Sequence, residues 1–336
     1  MQHFYNTADF SKSEIEAILA NAHKLKAGEI PKTALGKIIT LVFANLSLRT
    51  RLSFESGMKK LGGEANVLNA GDSWDFEYEA GVVMDKNTQE HISEAARVIS
   101  RYSDLIGIRN CSMMAGGKSE GGAWETIKRD KAVTGLMQHA TVPVINMESN
   151  MYHPCQAMAD VMTMQEKLGN LAGKKVVLSW APHPRSLPLA TPHSQLLLPT
   201  QLGANVTLAC PLGYELDTDV LEDAKKFCEV NTAEFKIEHD QATALQDADV
   251  VIAKSWTSLK FLGNPEGEAV EKQKLQDWQI KLANLDPKTY FMHCLPIRRN
   301  VVAEDAVIDS PNSLIIKEAE NRMWAQMAIM LYLLKN

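Results

Sequence analysis

Ser47-Leu48-Arg49-Thr50-Arg51 sets two hydroxyls and two guanidinium groups within five residues, a group of donors suited to an anion. The apolar run Ile38-Ile39-Thr40-Leu41-Val42-Phe43 precedes it and reads as a buried strand. Leu52 to Leu61 follow, with apolar positions at helical spacing. A strand that turns into a helix through such a segment offers a negative ligand the N–H groups and the dipole of the first helical turn. Ser47 and Thr50 add hydroxyl donors, and Arg49 and Arg51 add forked donors that match phosphate oxygens. A capped surface helix with two solvated arginines has a similar sequence, so this segment alone leaves both readings open.

Reactive residue types gather at two further places. His153-Pro154-Cys155-Gln156 lies at mid-chain, and His293-Cys294-Leu295-Pro296 near the end, followed by Arg298-Arg299-Asn300. Each has a plain structural alternative. Arg109, closing the apolar run Leu105-Ile106-Gly107-Ile108, suits a structural ion pair. His153 suits a helix N-terminus, and Cys294 a small buried hydrophobe. The five cysteines, at 111, 155, 210, 228 and 294, are odd in number and form no CxxC pair. That fits a reducing compartment and argues against a disulfide or zinc framework.

These residues need a scaffold to bring them together. A chain of 336 residues exceeds one ordinary core and implies two domains of about 150 residues each. Hydrophobic residues at 45% and charged residues at 23% describe a soluble globular protein. The net charge of -6 gives no reason to expect nucleic acid or an anionic membrane as partner, so an anionic ligand must be met by local arginines. Met1-Gln2-His3-Phe4-Tyr5-Asn6 lacks the basic and apolar regions of a signal peptide. No apolar run approaches the roughly 18 residues of a membrane span, so a cytoplasmic location is expected.

Residues 11–28 read as an amphipathic helix, capped at Ser11 or Ser13 and stopped at Gly28. A strand at 38–44, a helix at 51–61 and a strand at 65–68 follow, and 69–83 reads as a loop. A helix at 88–102 with Thr88 as N-cap, a strand at 105–109, a Gly-rich loop at 111–122, a helix at 123–139 and a strand at 142–146 complete the first half. The second half carries helices at 154–168, 218–230, 241–246 and 318–334 and strands at 175–180, 206–210, 235–238, 249–253 and 289–293. The proline-studded segment 181–199 is expected to form a stiff extended loop. The alternation predicts an α/β chain of two doubly wound parallel-sheet domains. Ligands of such sheets gather at the carboxyl ends of the strands, where Arg109, Glu148, Lys254 and Cys294 are expected.

Ser47–Arg51, His153–Gln156 and His293–Pro296 with Arg298-Arg299-Asn300, in this order, resemble the carbamoyltransferases, and the resemblance covers essentially the whole chain. Those enzymes transfer a carbamoyl group from carbamoyl phosphate to an amine. The resemblance implies a carbamoyl phosphate-binding domain at 1–150 and an acceptor-binding domain at 151–318, with the terminal helix 319–336 packing back on the first. It assigns the phosphate to Ser47, the Leu48 N–H, Arg49, Thr50 and Arg51, with help from Arg322. Thr50, Arg109 and His153 match the positions that meet the carbonyl oxygen as it becomes an oxyanion. Gln156 and the carbonyls of Cys294 and Leu295 match the acceptors for the carbamoyl NH2, with Cys294 not acting as a covalent nucleophile. No metal or cofactor is implied. Ser73 and Trp74 resemble groups supplied to a neighbouring subunit's site, Trp74 capping the anion, which implies a homotrimer with shared sites. A hydrophobic plug within one chain is the alternative for Trp74.

The acceptor region narrows the resemblance. Ordinary ornithine enzymes carry an Asp-x-Trp-x-Ser-Met-Gly motif, whereas this chain has Lys254-Ser255-Trp256-Thr257-Ser258-Leu259. A lysine is a poor partner for an α-ammonium and a good one for the α-carboxylate of an acylated amino acid. The segment is similar to the N-acylornithine branch, as are Val144–Glu148, Trp180–Pro184, His293–Asn300 and Glu318–Arg322. By that resemblance Lys254 and Arg298 hold the α-carboxylate, Glu148 contacts the acylated amino acid, and His183 lies near the reacting amine. The segment 181–199 is where the branch threads a knot in the second domain. Gln89 stands where acetyl-specific enzymes carry glutamate and succinyl-specific ones proline, leaving the acyl group open. His193 replaces an asparagine that helps to hold the substrate, and Val302 a lysine found in some acetyl-type members. The expected reaction is ordered and metal-free: the δ-amine of N-acetyl-L-ornithine attacks bound carbamoyl phosphate, phosphate leaves, and domain closure excludes water, a step of arginine biosynthesis. N-succinyl-L-ornithine, free ornithine and aspartate follow as alternatives, with a non-catalytic binding paralogue as the rival of a different class.

Overall fold

Apolar runs of five or six residues become parallel strands in both halves of the chain. The computed structural model describes residues 1–69, 72, 76–114 and 123–335. Contacts divide the chain into two compact units. One comprises Met1–Ala115, Glu125–Cys155 and Arg322–Asn336, the other Gly116–Trp124 and Gln156–Asn321.

The first half contains α1 (Lys12–Lys26), β1 (Ile38–Phe43), α2 (Leu48–Lys60), β2 (Glu64–Asn69), β3 (Phe76–Glu77), β4 (Glu90–His91), α3 (Ile92–Tyr102), β5 (Leu105–Arg109), α4 (Trp124–Ile127), α5 (Lys131–His139) and β6 (Val144–Glu148). Its sheet runs β2-β1-β5-β6, all parallel. Ile39, Leu41, Leu105, Ile106, Val144 and Ile145 are fully buried in it, as strands covered on both faces require. The Ser11 hydroxyl accepts the Glu14 N–H while the Glu14 carboxylate accepts the Ser11 N–H, so α1 starts at a reciprocal cap. A register shift between Ile108 and Arg109 brings Arg109 opposite Glu148.

The second half contains α6 (Pro154–Leu168), β7 (Lys175–Trp180), α7 (Ala190–Gln201), β8 (Asn205–Ala209), α8 (Thr218–Asn231), β9 (Phe235–Glu238), α9 (Gln241–Leu245), β10 (Val250–Lys254), α10 (Pro265–Gln273), β11 (Tyr290–Met292), α11 (Asp305–Ile308) and α12 (Ile315–Lys335). Its sheet runs β11-β10-β7-β8-β9, again parallel. Val177, Val251, Phe291, Val307 and Ile308 belong to one buried cluster. The C-terminal part of α12 lies on α2. A Cβ at Gly57 would stand 2.9 Å from Met327 Cγ, so only glycine admits this approach.

Three expectations are corrected. The helix expected from Thr88 begins at Ile92, because Glu90 and His91 are held extended in a ladder with Phe76 and Glu77, and the His91 ring caps the helix by accepting the Ser93 N–H. The helix expected over 123–139 is two helices broken at Asp130, which takes φ 49°. Its buried carboxylate accepts the N–H groups of Asn150 and Met151 and the Tyr5 hydroxyl. The proline-studded segment is in large part α7 rather than extended loop. Pro192 sits in the first turn, where an N–H has no intrahelical acceptor, and Pro199 lies near the end of a helix buried on every side.

Candidate active site

The first unit gathers its charge at the head of α2. Ser47 is the N-cap, its hydroxyl accepting the Thr50 N–H at 3.2 Å. The positive end of the helix dipole therefore lies at Leu48 and Arg49. Leu48 is exposed, and Arg51 is exposed and bonded to Glu55 of its own helix at 2.7 Å. Thr50 is fully buried, and Arg322, itself buried, donates through Nη2 to the Thr50 hydroxyl at 2.8 Å. Burial lowers the pKa of the Arg322 guanidinium, and the charges of Arg109 and Arg49 lower it further, while Cys155 and Glu148 act in the opposite sense. Three guanidinium groups thus share one field in a dry place, an arrangement that an anion stabilises.

Arg109 and Glu148, both buried, form an ion pair across the β5–β6 register shift. His153 Nε2 lies 3.7 Å from the same Glu148 oxygen. The plain reading of Arg109 as an ion-pair partner is therefore met, in the field of Arg322. Burial pushes the Cys155 thiol up to about 12, so it stays protonated as packing beneath this group. Gln89 is exposed just before β4. Ser73 and Trp74 lie outside the described residues.

The second unit carries a different group at the carboxyl ends of β7, β10 and β11. Lys254 closes β10, in register with Trp180 of β7. His183 follows β7, and Arg298 Nε donates to its Nε2 at 3.1 Å. The His183 pKa is pushed down to about 4, first by burial and then by the charges of Arg298, Lys254 and Lys272. The ring is accordingly neutral near pH 7 and the surrounding charge is cationic. Trp256 is fully buried and donates from Nε1 to the Tyr214 carbonyl at 2.8 Å, which fixes the segment that follows Lys254.

Behind His293-Cys294-Leu295 lies a buried carboxyl pair. Gln156 Nε2 donates to Asp160 Oδ1 at 2.7 Å and to Glu318 Oε1 at 3.0 Å. Gln195 Nε2 donates to Asp160 Oδ2 at 2.8 Å, and the His293 N–H to Glu318 Oε2 at 2.9 Å. Burial raises the Glu318 pKa well above the carboxylate range, and neighbouring Asp160 and Cys294 add to the shift. Leu295 takes φ 56°, and its N–H donates to His293 Nδ1 at 2.9 Å.

The structure brings Thr50, Arg109, Glu148, His153 and Arg322 together in one unit, and His183, Lys254 and Arg298 together in the other. His193 sits inside α7, fully buried. Its Nε2 accepts the Asp217 N–H at 3.4 Å, and its ring meets Trp124 edge-on at 6.2 Å. Asp160, Glu318, Gln195 and the buried Glu268–Lys272 pair escape sequence reasoning. The i, i+4 spacing is a local signal for that last pair and for Asp160, four residues after Gln156, whereas Glu318 and Gln195 have none. Among the described residues Cys210, Glu215 and His239 bring their ligand atoms within 4.8 Å of one another. Burial and Glu215 push the Cys210 thiol far up, which opposes the thiolate a metal needs.

Two parallel α/β units with an arginine-rich helix head match a known family along most of the chain. Residues 2–166 match the carbamoyl-P binding domain of aspartate/ornithine carbamoyltransferase, and residues 190–333 the Asp/Orn binding domain. The chain belongs to the aspartate/ornithine carbamoyltransferase family. It is 43% identical to the N-acetylornithine carbamoyltransferase of Xanthomonas campestris pv. campestris, over 98% of this chain and 97% of that one. It is 42% identical to the enzyme of the same name from Xylella fastidiosa, over 98% of each. The structure superposes on acetylornithine transcarbamylase complexed with acetylcitrulline with a TM-score of 0.94 and 42% identity, covering 99% of both chains.

Proposed function

We propose that the protein transfers the carbamoyl group of carbamoyl phosphate to the δ-amine of N-acetyl-L-ornithine, giving N-acetyl-L-citrulline and phosphate. One observation carries this reading: buried Arg322 meets buried Thr50 at the head of α2, within the field of Arg109 and Arg49. That group suits a dianionic phosphate on a small, otherwise neutral ligand. Ser47, the Leu48 N–H, Arg49, Thr50, Arg51 and Arg322 hold the phosphate, and Trp74 covers it. Thr50, Arg109 and His153 donate to the carbonyl oxygen as it gains charge. Gln156 and the carbonyls of Cys294 and Leu295 accept from the carbamoyl NH2.

Lys254 and Arg298 hold the α-carboxylate of the acceptor, and Glu148 contacts the acylated amino acid. His183 is neutral at pH 7, and its Nε2 can accept a hydrogen bond from the reacting amine once Arg298 turns from it to the α-carboxylate of the acceptor. Its low basicity makes the leaving phosphate the better final proton acceptor. Gln89 and His193 tune the fit of the acyl acceptor. The working form is a homotrimer in which Ser73 and Trp74 complete a neighbouring subunit's site. The enzyme acts in the cytoplasm, in arginine biosynthesis, in keeping with five cysteines that form no disulfide.

The experiment is product formation from carbamoyl phosphate with N-acetylornithine, N-succinylornithine and free ornithine in parallel. Turnover of the acetyl compound alone is the expected result. Turnover of the succinyl compound would reassign the acyl group through Gln89, and turnover of free ornithine alone would overturn the role given to Lys254. Binding without phosphate release would favour a non-catalytic carrier. Sedimentation of the whole protein tests the trimer.

A further inference from the structure

We infer that Asp160 and Glu318 share a single proton and act as a positioning pair, aligning the acceptors of the carbamoyl nitrogen. The inference rests on the reading above and extends it to residues that touch no substrate.

All four carboxyl oxygens accept an N–H. Asp160 receives Gln156 and Gln195, and Glu318 receives Gln156 and the His293 backbone. Four accepted N–H bonds demand electron-rich oxygens, so two neutral acids would waste the donors. Two full charges side by side in the interior would repel without screening. Asp160 is 1% exposed and Glu318 is fully buried. One proton, held in a hydrogen bond between the two carboxyls, satisfies both constraints, and the raised Glu318 value agrees.

Asp160 on α6 and Glu318 on α12 face Gln156 of α6, Gln195 of α7, and His293 and Cys294 of the segment after β11. Of these neighbours only His293 and Cys294 titrate. Gln156 directs its NH2 at both carboxyls, which turns the amide oxygen away from them, toward the role of acceptor. Through the His293 N–H, the same Glu318 anchors the backbone that ends in the Cys294 and Leu295 carbonyls. One protonated pair therefore sets all three groups assigned to the carbamoyl NH2.

The test uses the full-length protein and the substitutions Glu318→Gln and Asp160→Asn. Each replaces an acceptor oxygen by an NH2 that must face another donor. We expect affinity for carbamoyl phosphate to fall about 10- to 100-fold while affinity for inorganic phosphate stays within about twofold, because only the former carries the NH2. The sign of the pH effect follows from the shared proton. The protonated pair is the working form, so wild-type kcat declines as rising pH removes the proton, and Glu318→Gln, which has no proton to lose, lacks that alkaline decline. Infrared difference spectra of wild type minus Glu318→Gln should contain the C=O stretch of a protonated carboxyl. Equal losses for carbamoyl phosphate and phosphate, or superimposable pH profiles, would overturn the inference in favour of a merely structural role. If Glu318→Gln does not fold, Asp160→Asn decides through the same binding comparison. Absence of wild-type turnover with every acceptor would count against the proposed function instead, and the infrared band would still judge the pair.

Discussion

The head of α2 in the first unit and the ends of β7 and β10 in the second both concentrate positive charge, but they are built differently. Thr50, Arg109 and Arg322 are buried and tied to one another or to Glu148. Lys254 is half-buried, and Arg298 is exposed and leans on His183. Burial multiplies the worth of each charge and fixes its geometry. Exposure makes a charge weaker but easier to re-aim. On the proposed function the contrast is a division of labour: rigid, dry donors for the group that reacts, and adaptable ones for the group that selects the acceptor.

Replacing Arg109 by alanine should break this contrast most. It strands Glu148 in the interior, so we expect stability to fall by about 3–5 kcal/mol and kcat by about 10²- to 10³-fold. Adding Glu148→Gln should restore most of the stability and little of the activity. Urea unfolding beside phosphate-release kinetics separates the two effects, and joint recovery of both would reduce Arg109 to a structural ion pair. In the second unit, Lys254→Gln or Arg298→Gln should raise the acceptor KM about 10- to 100-fold with the carbamoyl phosphate KM nearly unchanged. A kcat loss with both KM values intact would sink the assignment of those cations to the acceptor.

Gln89→Glu sharpens the selective side. A carboxylate at this exposed position should lower the rate with N-succinylornithine relative to N-acetylornithine by about tenfold, read from competing acceptors in one reaction. An unchanged ratio would remove Gln89 from acyl selection. The smallest effect concerns His183, whose folded value of about 4 lies below the ordinary 6.5. Between those values the unfolded chain binds the extra proton, so this ring's contribution to stability is present above pH 6.5 and is lost as pH falls toward about 4. Lys254→Gln should move the His183 midpoint upward, by less than burial moves it down, in an NMR titration of the ring. A downward move would contradict the like-charge account.

Local patterns made much of the scaffold legible. The Ser11 cap, the β1 run and the capped head of α2 each announce themselves within a few residues. Legibility failed where distant contacts overrode local preference. Proline density at 181–199 suggested a loop, yet burial on every side holds α7 together. Asp130 falls inside the helix the sequence predicts over 123–139, yet its carboxylate caps the backbone at Asn150 and Met151. The site divides in the same way. The His-Pro-Cys-Gln motif points to His153 and Gln156, and Arg109 stands out at a strand end, but no periodicity links Gln156 to Glu318, 162 positions away, so the sequence does not show the two carboxyls as a pair.

The bond between Arg322 and Thr50 joins residues 272 positions apart. On a ribosome, the head of α2 emerges early, and the guanidinium that bonds to it emerges near the end of synthesis. Until α12 settles against Gly57, a nascent chain holds the proposed carbamoyl phosphate pocket without this cation. On the proposed function, translation order would act as a safeguard: a polypeptide interrupted before position 322 would gain the first sheet and most of the second unit while remaining chemically idle. Stalled chains released on either side of that position, compared for carbamoyl phosphate binding, would show whether competence arrives with the last helix.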